Sequence, residues 1–111
     1  MKKLIALILF AFCGVSYAGS AGSGNLHTIH YMGNGAVIVY TTGVRSADIP
    51  PCATTGNLNR FAIDGTSNVG KVQLSGLLSA YATGKKVIIY GAGNCGPWGD
   101  AETISYFYMD D

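Results

Sequence analysis

The chain has 111 residues, seven of them basic and six acidic, for a formal net charge of +1. That length accommodates one ordinary domain. The near-balanced charge leaves no basic stripe to neutralise a phosphate backbone, so no nucleic-acid partner is expected.

The first stretch, MKKLIALILFAFCGVSYA, has two lysines, a short apolar run and the small-x-small triplet Ser16-Tyr17-Ala18. This is the pattern of a secretory leader and is too short to span a membrane. Cys13 follows the bulky Phe12, which argues against a lipid anchor and for cleavage after Ala18. The expected division is a leader over 1–18 and a single domain over 19–111. The processed chain is then exported, to the periplasm or beyond the cell. Loss of Lys2 and Lys3 leaves five basic against six acidic residues, a net charge of −1.

GSAGSGN (19–25) reads as a flexible terminus. LHTIHYM (26–32) is rich in β-branched and aromatic residues and reads as a strand, with Gly33-Asn34-Gly35 supplying a tight hairpin turn. AVIVYTT (36–42) is a nearly continuous apolar run, as in a strand covered on both faces. GVRSADIPPCATTGNLN (43–59) has no periodicity, and Pro50-Pro51 excludes a central strand or a helix there. Arg60–Asp64 is a third strand, with Phe61 and Ile63 on one face.

Thr66 or Ser67 can cap a helix over 69–81, where Leu74, Leu77, Leu78 and Tyr81 form one apolar stripe. Gly84 stands where a left-handed residue ends a helix. KKVIIY (85–90) is the fourth strand, GAGNCGPWGD (91–100) a glycine-rich loop, and ETISYFYM (102–109) the fifth strand. One helix between the third and fourth of five strands is the element order of an OB-fold, a mainly β Greek-key barrel.

The helix end Tyr81-Ala82-Thr83-Gly84, running at once into the strand Lys86–Tyr90, resembles the binding subunits of bacterial AB-type toxins, nearest the subtilase cytotoxin branch. The resemblance implies a secreted, disulfide-bonded OB-fold that assembles with itself into a ring and binds host-cell glycans. The sequence identifies no catalytic toxin partner.

Two cysteines remain after processing, Cys52 and Cys95, in a compartment that permits disulfides. One bridge between them is the favoured reading. A free thiol pair or metal ligation would be the rivals, but there is no CxxC spacing and no histidine nearby. His27 and His30 have HxxH spacing, but on a strand they should point to opposite sides. No metal or cofactor is expected.

Enzymatic motifs are also missing: there is no GxSxG elbow and no HExxH. Asp100 and Glu102 are close enough in sequence to share acid and base duties, though a solvated start to the last strand is the plainer reading. Trp98 is the only tryptophan, set between Pro97 and Gly99. As a sugar platform it would work with Asn94, Asp100 and Glu102 as hydroxyl acceptors. As a structural residue it would fold over the disulfide and close the core. Tyr106, Phe107 and Tyr108 put aromatics on both faces of the last strand.

The leading expectation is therefore an exported, non-enzymatic module for carbohydrate. The alternative is a small periplasmic structural or inhibitory protein that binds another protein through an aromatic strand face.

Overall fold

A computed structural model describes residues 18–55 and 58–110. Apart from Ala18, the expected leader lies outside these residues. Among the described residues the architecture is mainly β with one α-helix. The strands are β1 (Ser20–Gly24), β2 (Leu26–Tyr31), β3 (Ala36–Thr41), β4 (Arg60–Asp64), β5 (Lys86–Gly91) and β6 (Glu102–Asp110), and the helix α1 (Asn68–Thr83) lies between β4 and β5. They form one mixed sheet in the order β1-β5-β6-β4-β3-β2. Only the β4–β6 pairing is parallel, aligning Phe61 with Glu102 and Ala62 with Thr103.

The two edge strands are consecutive in the chain, separated by Asn25 alone. The chain thus leaves one edge of the sheet and re-enters at the other. The Asn25 side chain donates from Nδ2 to the Gly84 carbonyl at 2.9 Å, which ties that junction to the end of α1.

β1 corrects the expectation of a flexible terminus. Its Ser and Gly content gives no strand pattern, but tertiary pairing overrides propensity here. Ser20 and Ala21 pair with Tyr90 and Ile89 of β5. On the other side, Gly22 N donates to the Val44 carbonyl at 3.0 Å and Ser46 N to the Ser20 carbonyl at 2.9 Å. The start of the segment read as unpatterned loop is therefore pinned to β1. Pro51–Ala53 adds a single 3-10 turn to it.

The β2–β3 hairpin forms as expected. Gly35 takes φ 91°, and Asn34 Oδ1 accepts from Ala36 N at 2.9 Å to hold the turn. β3 is buried at five of six positions, in keeping with cover on both faces. Val37 and Val39 join Phe61, Ile63, Val87, Ile89 and Ile104 in the main core beneath α1, and Ile38 joins Ala62 and Ala101 on the opposite side.

The caps of α1 are as expected. Ser67 accepts from Gly70 N at 2.9 Å, and Gly84 takes φ 70°. Its buried stripe is not. Leu77 and Ala80 enter the core with Leu74 against it, whereas Leu78 and Tyr81 are exposed. The helix has turned so that small residues meet the sheet, with Gly76 facing the ring of Phe107.

Candidate ligand-binding face

The sheet face turned away from α1 gathers most of the residues the sequence singles out. Alternation along β3 sends Ile38 and Tyr40 to this side. Cross-strand register then sets Tyr40 opposite Thr28 and Arg60, and Ile38 opposite His30 and Ala62. Met32, Tyr40 and Trp98 pack, each half-buried, on the cluster formed by Ile38, Ala62 and Ala101.

His27 and His30 are not on opposite sides. The β2–β3 register shifts between Leu26 and Thr28, and this bulge inserts one extra residue. Both rings therefore approach Tyr40, with centroids at 5.9 and 5.2 Å. The physical reason is the ragged alternation of LHTIHYM, which cannot keep an unbroken register. Both histidines are exposed. Among the described residues no group of three or more His, Cys, Asp or Glu could hold a metal ion.

The loop between β5 and β6 covers one border of this face. Cys95 is bonded to Cys52, so the disulfide staples that loop to the 3-10 turn. Asn94 organises the loop from within: its Oδ1 accepts from the Thr103 hydroxyl at 2.7 Å and from Gly96 N at 3.2 Å. Asn34 of the hairpin turn donates to the Pro97 carbonyl at 3.2 Å. Two distant loops are thereby joined immediately before Trp98, and the Trp98 carbonyl accepts from Ala101 N at 3.0 Å. The indole is thus held by backbone turns on one side and the Ile38 cluster on the other.

Asp100 and Glu102 part company. Asp100 sits in the turn before β6 and approaches Arg60 Nη2 at 2.6 Å, an ion pair with its carboxylate about half exposed. Glu102 is wholly buried, and its Oε1 takes Arg45 Nη2 at 2.7 Å. Its Oε2 accepts from Gly19 N at 2.8 Å and Gly93 N at 3.1 Å. The expectation of Glu102 as a ligand acceptor, or as half of an acid–base pair with Asp100, therefore fails on burial: the side chain has no exposed surface and both its oxygens accept from protein donors. Asn94, Asp100 and Trp98 stay at the surface of one loop. Sequence reasoning missed Tyr40 and Arg60, whose place opposite the loop follows from sheet register rather than from any motif.

A second aromatic group lies on β5 and β6. Tyr90 stacks on Tyr106 at 4.7 Å and lies 6.3 Å from Tyr108, and both β6 tyrosines are about half exposed. The Tyr90 hydroxyl, hydrogen-bonded to Tyr108, raises the pKa of the Tyr108 phenol above its usual value. Phe107 between them points the other way, against the core.

No family model, curated protein or solved structure matches this chain. The site thus stands on its own chemistry. Among the described residues no helix is long and apolar enough to cross a membrane.

Proposed function

We propose that this chain is an exported, non-enzymatic binding module whose ligand is a carbohydrate seated beside Trp98. The observation that carries the reading is the placement of the indole. It rests by one side on the Ile38, Ala62 and Ala101 cluster, retains exposed surface, and adjoins a loop that also presents Asn94 and Asp100. An aromatic platform meets the C–H side of a sugar ring. The Arg60–Asp100 pair, Asn94, and the two exposed histidines next to Tyr40 offer donors and acceptors for hydroxyls.

The topology supports the same reading. If β1 and β2 count as one bent strand interrupted at Asn25, there are five strands with the helix after the third, as in an OB-fold. Strands β3 and β4 then correspond to the second and third strands of that fold. The hairpin turn and the Trp98 loop correspond to the loops that flank the face on which OB-folds take oligosaccharides and oligonucleotides. With five basic against six acidic residues after leader removal, the oligosaccharide is the favoured class.

The test is a glycan panel probed with the oxidised, processed protein, followed by Trp98→Ala. Binding lost in a variant that keeps its native circular dichroism supports the reading. A panel without a single binder, or binding unchanged by the substitution, overturns it.

The exposed Tyr106 and Tyr108, grouped with the half-buried Tyr90, favour a second reading. In it this strip meets protein, either another copy in a ring of the toxin type or an unrelated partner. Light scattering separates these, since a five-subunit species supports the ring and a monomer at high concentration removes it.

A further inference from the structure

We propose that leader removal creates a binding group of its own: the α-ammonium of Gly19, which docks on the buried carboxylate of Glu102 and becomes part of the folded structure. The proposal rests on the geometry around Gly19 and is independent of what the protein binds.

Glu102 has no exposed surface, and each of its carboxylate oxygens has donors. Arg45 occupies Oε1, while Oε2 accepts from Gly19 N at 2.8 Å and Gly93 N at 3.1 Å. The backbone nitrogen one residue after the expected cleavage point thus lies in direct contact with a fully buried anion 83 positions away in sequence. The small-x-small triplet ends at Ala18, which is exposed, whereas Gly19 is buried.

Gly19 is held for this contact from both sides. Its carbonyl accepts from Gly91 N at 2.7 Å, and Ser20 continues in register with Tyr90. A Cβ at Gly19 would overlap the Asp48 carbonyl oxygen, and one at Gly91 would overlap the Glu102 carboxylate itself. Glycine at both positions is what lets the backbone approach the anion so closely.

Hydrolysis of the Ala18–Gly19 bond adds one water. The water oxygen joins the acyl half, which leaves as the Ala18 carboxylate, and both water protons end on the Gly19 nitrogen, which is an ammonium at neutral pH. The bond to Glu102 is already assisted by the charge of the carboxylate, and replacing its neutral amide donor by a cationic one makes both partners ionised. Because Ala18 is exposed, its departure opens a route by which the remaining ammonium protons reach water, so the new charge is not wholly desolvated. Two cations then flank one carboxylate. The Arg45 charge is further stabilised by the face of the Phe61 ring, whose centroid lies 4.3 Å from the guanidinium carbon. Since Gly19 is buried once the chain has folded, the bond must be cut before folding, as it would be during export.

The experiment uses the full-length gene in a secreting bacterial host. Intact mass fixes the first residue of the exported protein. The reactivity of the α-amine toward an acylating reagent is then measured at neutral pH, native and in urea, by peptide mass spectrometry. The proposal expects a first residue of Gly19 and an α-amine that reacts about tenfold or more slowly when folded, the effect of roughly one unit of added proton affinity. In Glu102→Gln that protection falls toward the value in urea. A chain that begins elsewhere, an amine equally reactive folded and unfolded, or protection that persists in a folded Glu102→Gln variant would each overturn it. If Glu102→Gln does not fold, the wild-type comparison alone decides.

Discussion

Asp100 and Glu102 lie two residues apart, each paired with an arginine, yet they do opposite work. The Arg45–Glu102 pair has side-chain exposures of 6% and 0%, whereas the Arg60–Asp100 pair has 13% and 46%. At the inner pair water is excluded, and the carboxylate accepts from two backbone nitrogens besides the guanidinium. At the outer pair the Asp100 side chain keeps about half its surface, although the oxygen that meets Arg60 is itself buried. The boundary is the start of β6: Glu102 enters the parallel ladder opposite Phe61, while Asp100 remains in the turn. Strand registration, rather than residue chemistry, converts one acid to buried structure and leaves the other at the surface.

Breaking the inner pair should have the largest effect. Glu102→Ala leaves the Arg45 charge buried without its counter-ion, which typically costs about 3–5 kcal/mol. That is much of the stability of a small domain. Chemical denaturation should show the loss, and a variant within about 1 kcal/mol of wild type would contradict the structural role assigned to Glu102. Replacing Arg45 and Glu102 together by apolar residues should recover part of it, because neither charge is then stranded. Recovery stays incomplete, since Gly19 N and Gly93 N lose their acceptor.

The staple that holds the outer pair in place comes next. Cys52→Ser with Cys95→Ser removes a bridge across a sequence separation of 43 residues, a loss of about 4 kcal/mol in the chain-entropy account. The same double variant should weaken glycan binding even where it remains folded, because the loop carrying Asn94, Trp98 and Asp100 loses its tether. Equal affinity in the folded double variant would show that the loop is held in place without the bridge, by contacts such as those of Asn34 and Asn94.

At the outer pair itself the order reverses. Asp100→Asn should change stability by no more than about 1 kcal/mol, as for exposed ion pairs generally. Its effect on sugar binding should be larger than its effect on stability. A variant as destabilised as Glu102→Ala would erase the distinction between the two pairs.

Much of this was legible in the chain, and the failures share a cause. The hairpin, the caps of α1, the Cys52–Cys95 bridge and the double cover of β3 follow from local chemistry: Gly-Asn-Gly, Ser67 with Gly84, two cysteines, and a run of β-branched residues. β1 was not legible because Ser and Gly carry no pattern, and only pairing with β5 orders them. The roles of Glu102, Tyr40 and Arg60 depend on register between strands far apart in sequence. The bulge at His27, which brings both histidines to Tyr40, cannot be read from spacing.

The smallest effect tests the exposed end of the same scale. Asp64 is solvent-facing, and its carboxyl is held below the ordinary carboxylate range, chiefly by the Thr66 hydroxyl at 2.6 Å and then by Thr66 N at 3.0 Å. A depressed folded-state value means that the stability this group contributes is present above the unfolded-state pKa and is lost as pH falls through the folded one. Asp64→Asn should therefore lower the urea midpoint slightly near neutral pH. The gap should close in strong acid, where the wild-type carboxyl is itself protonated. A gap of the same size at both pH values would mean that the Thr66 contacts act through shape rather than charge. Exposed carboxylates here would then differ from Glu102 in kind, not only in degree.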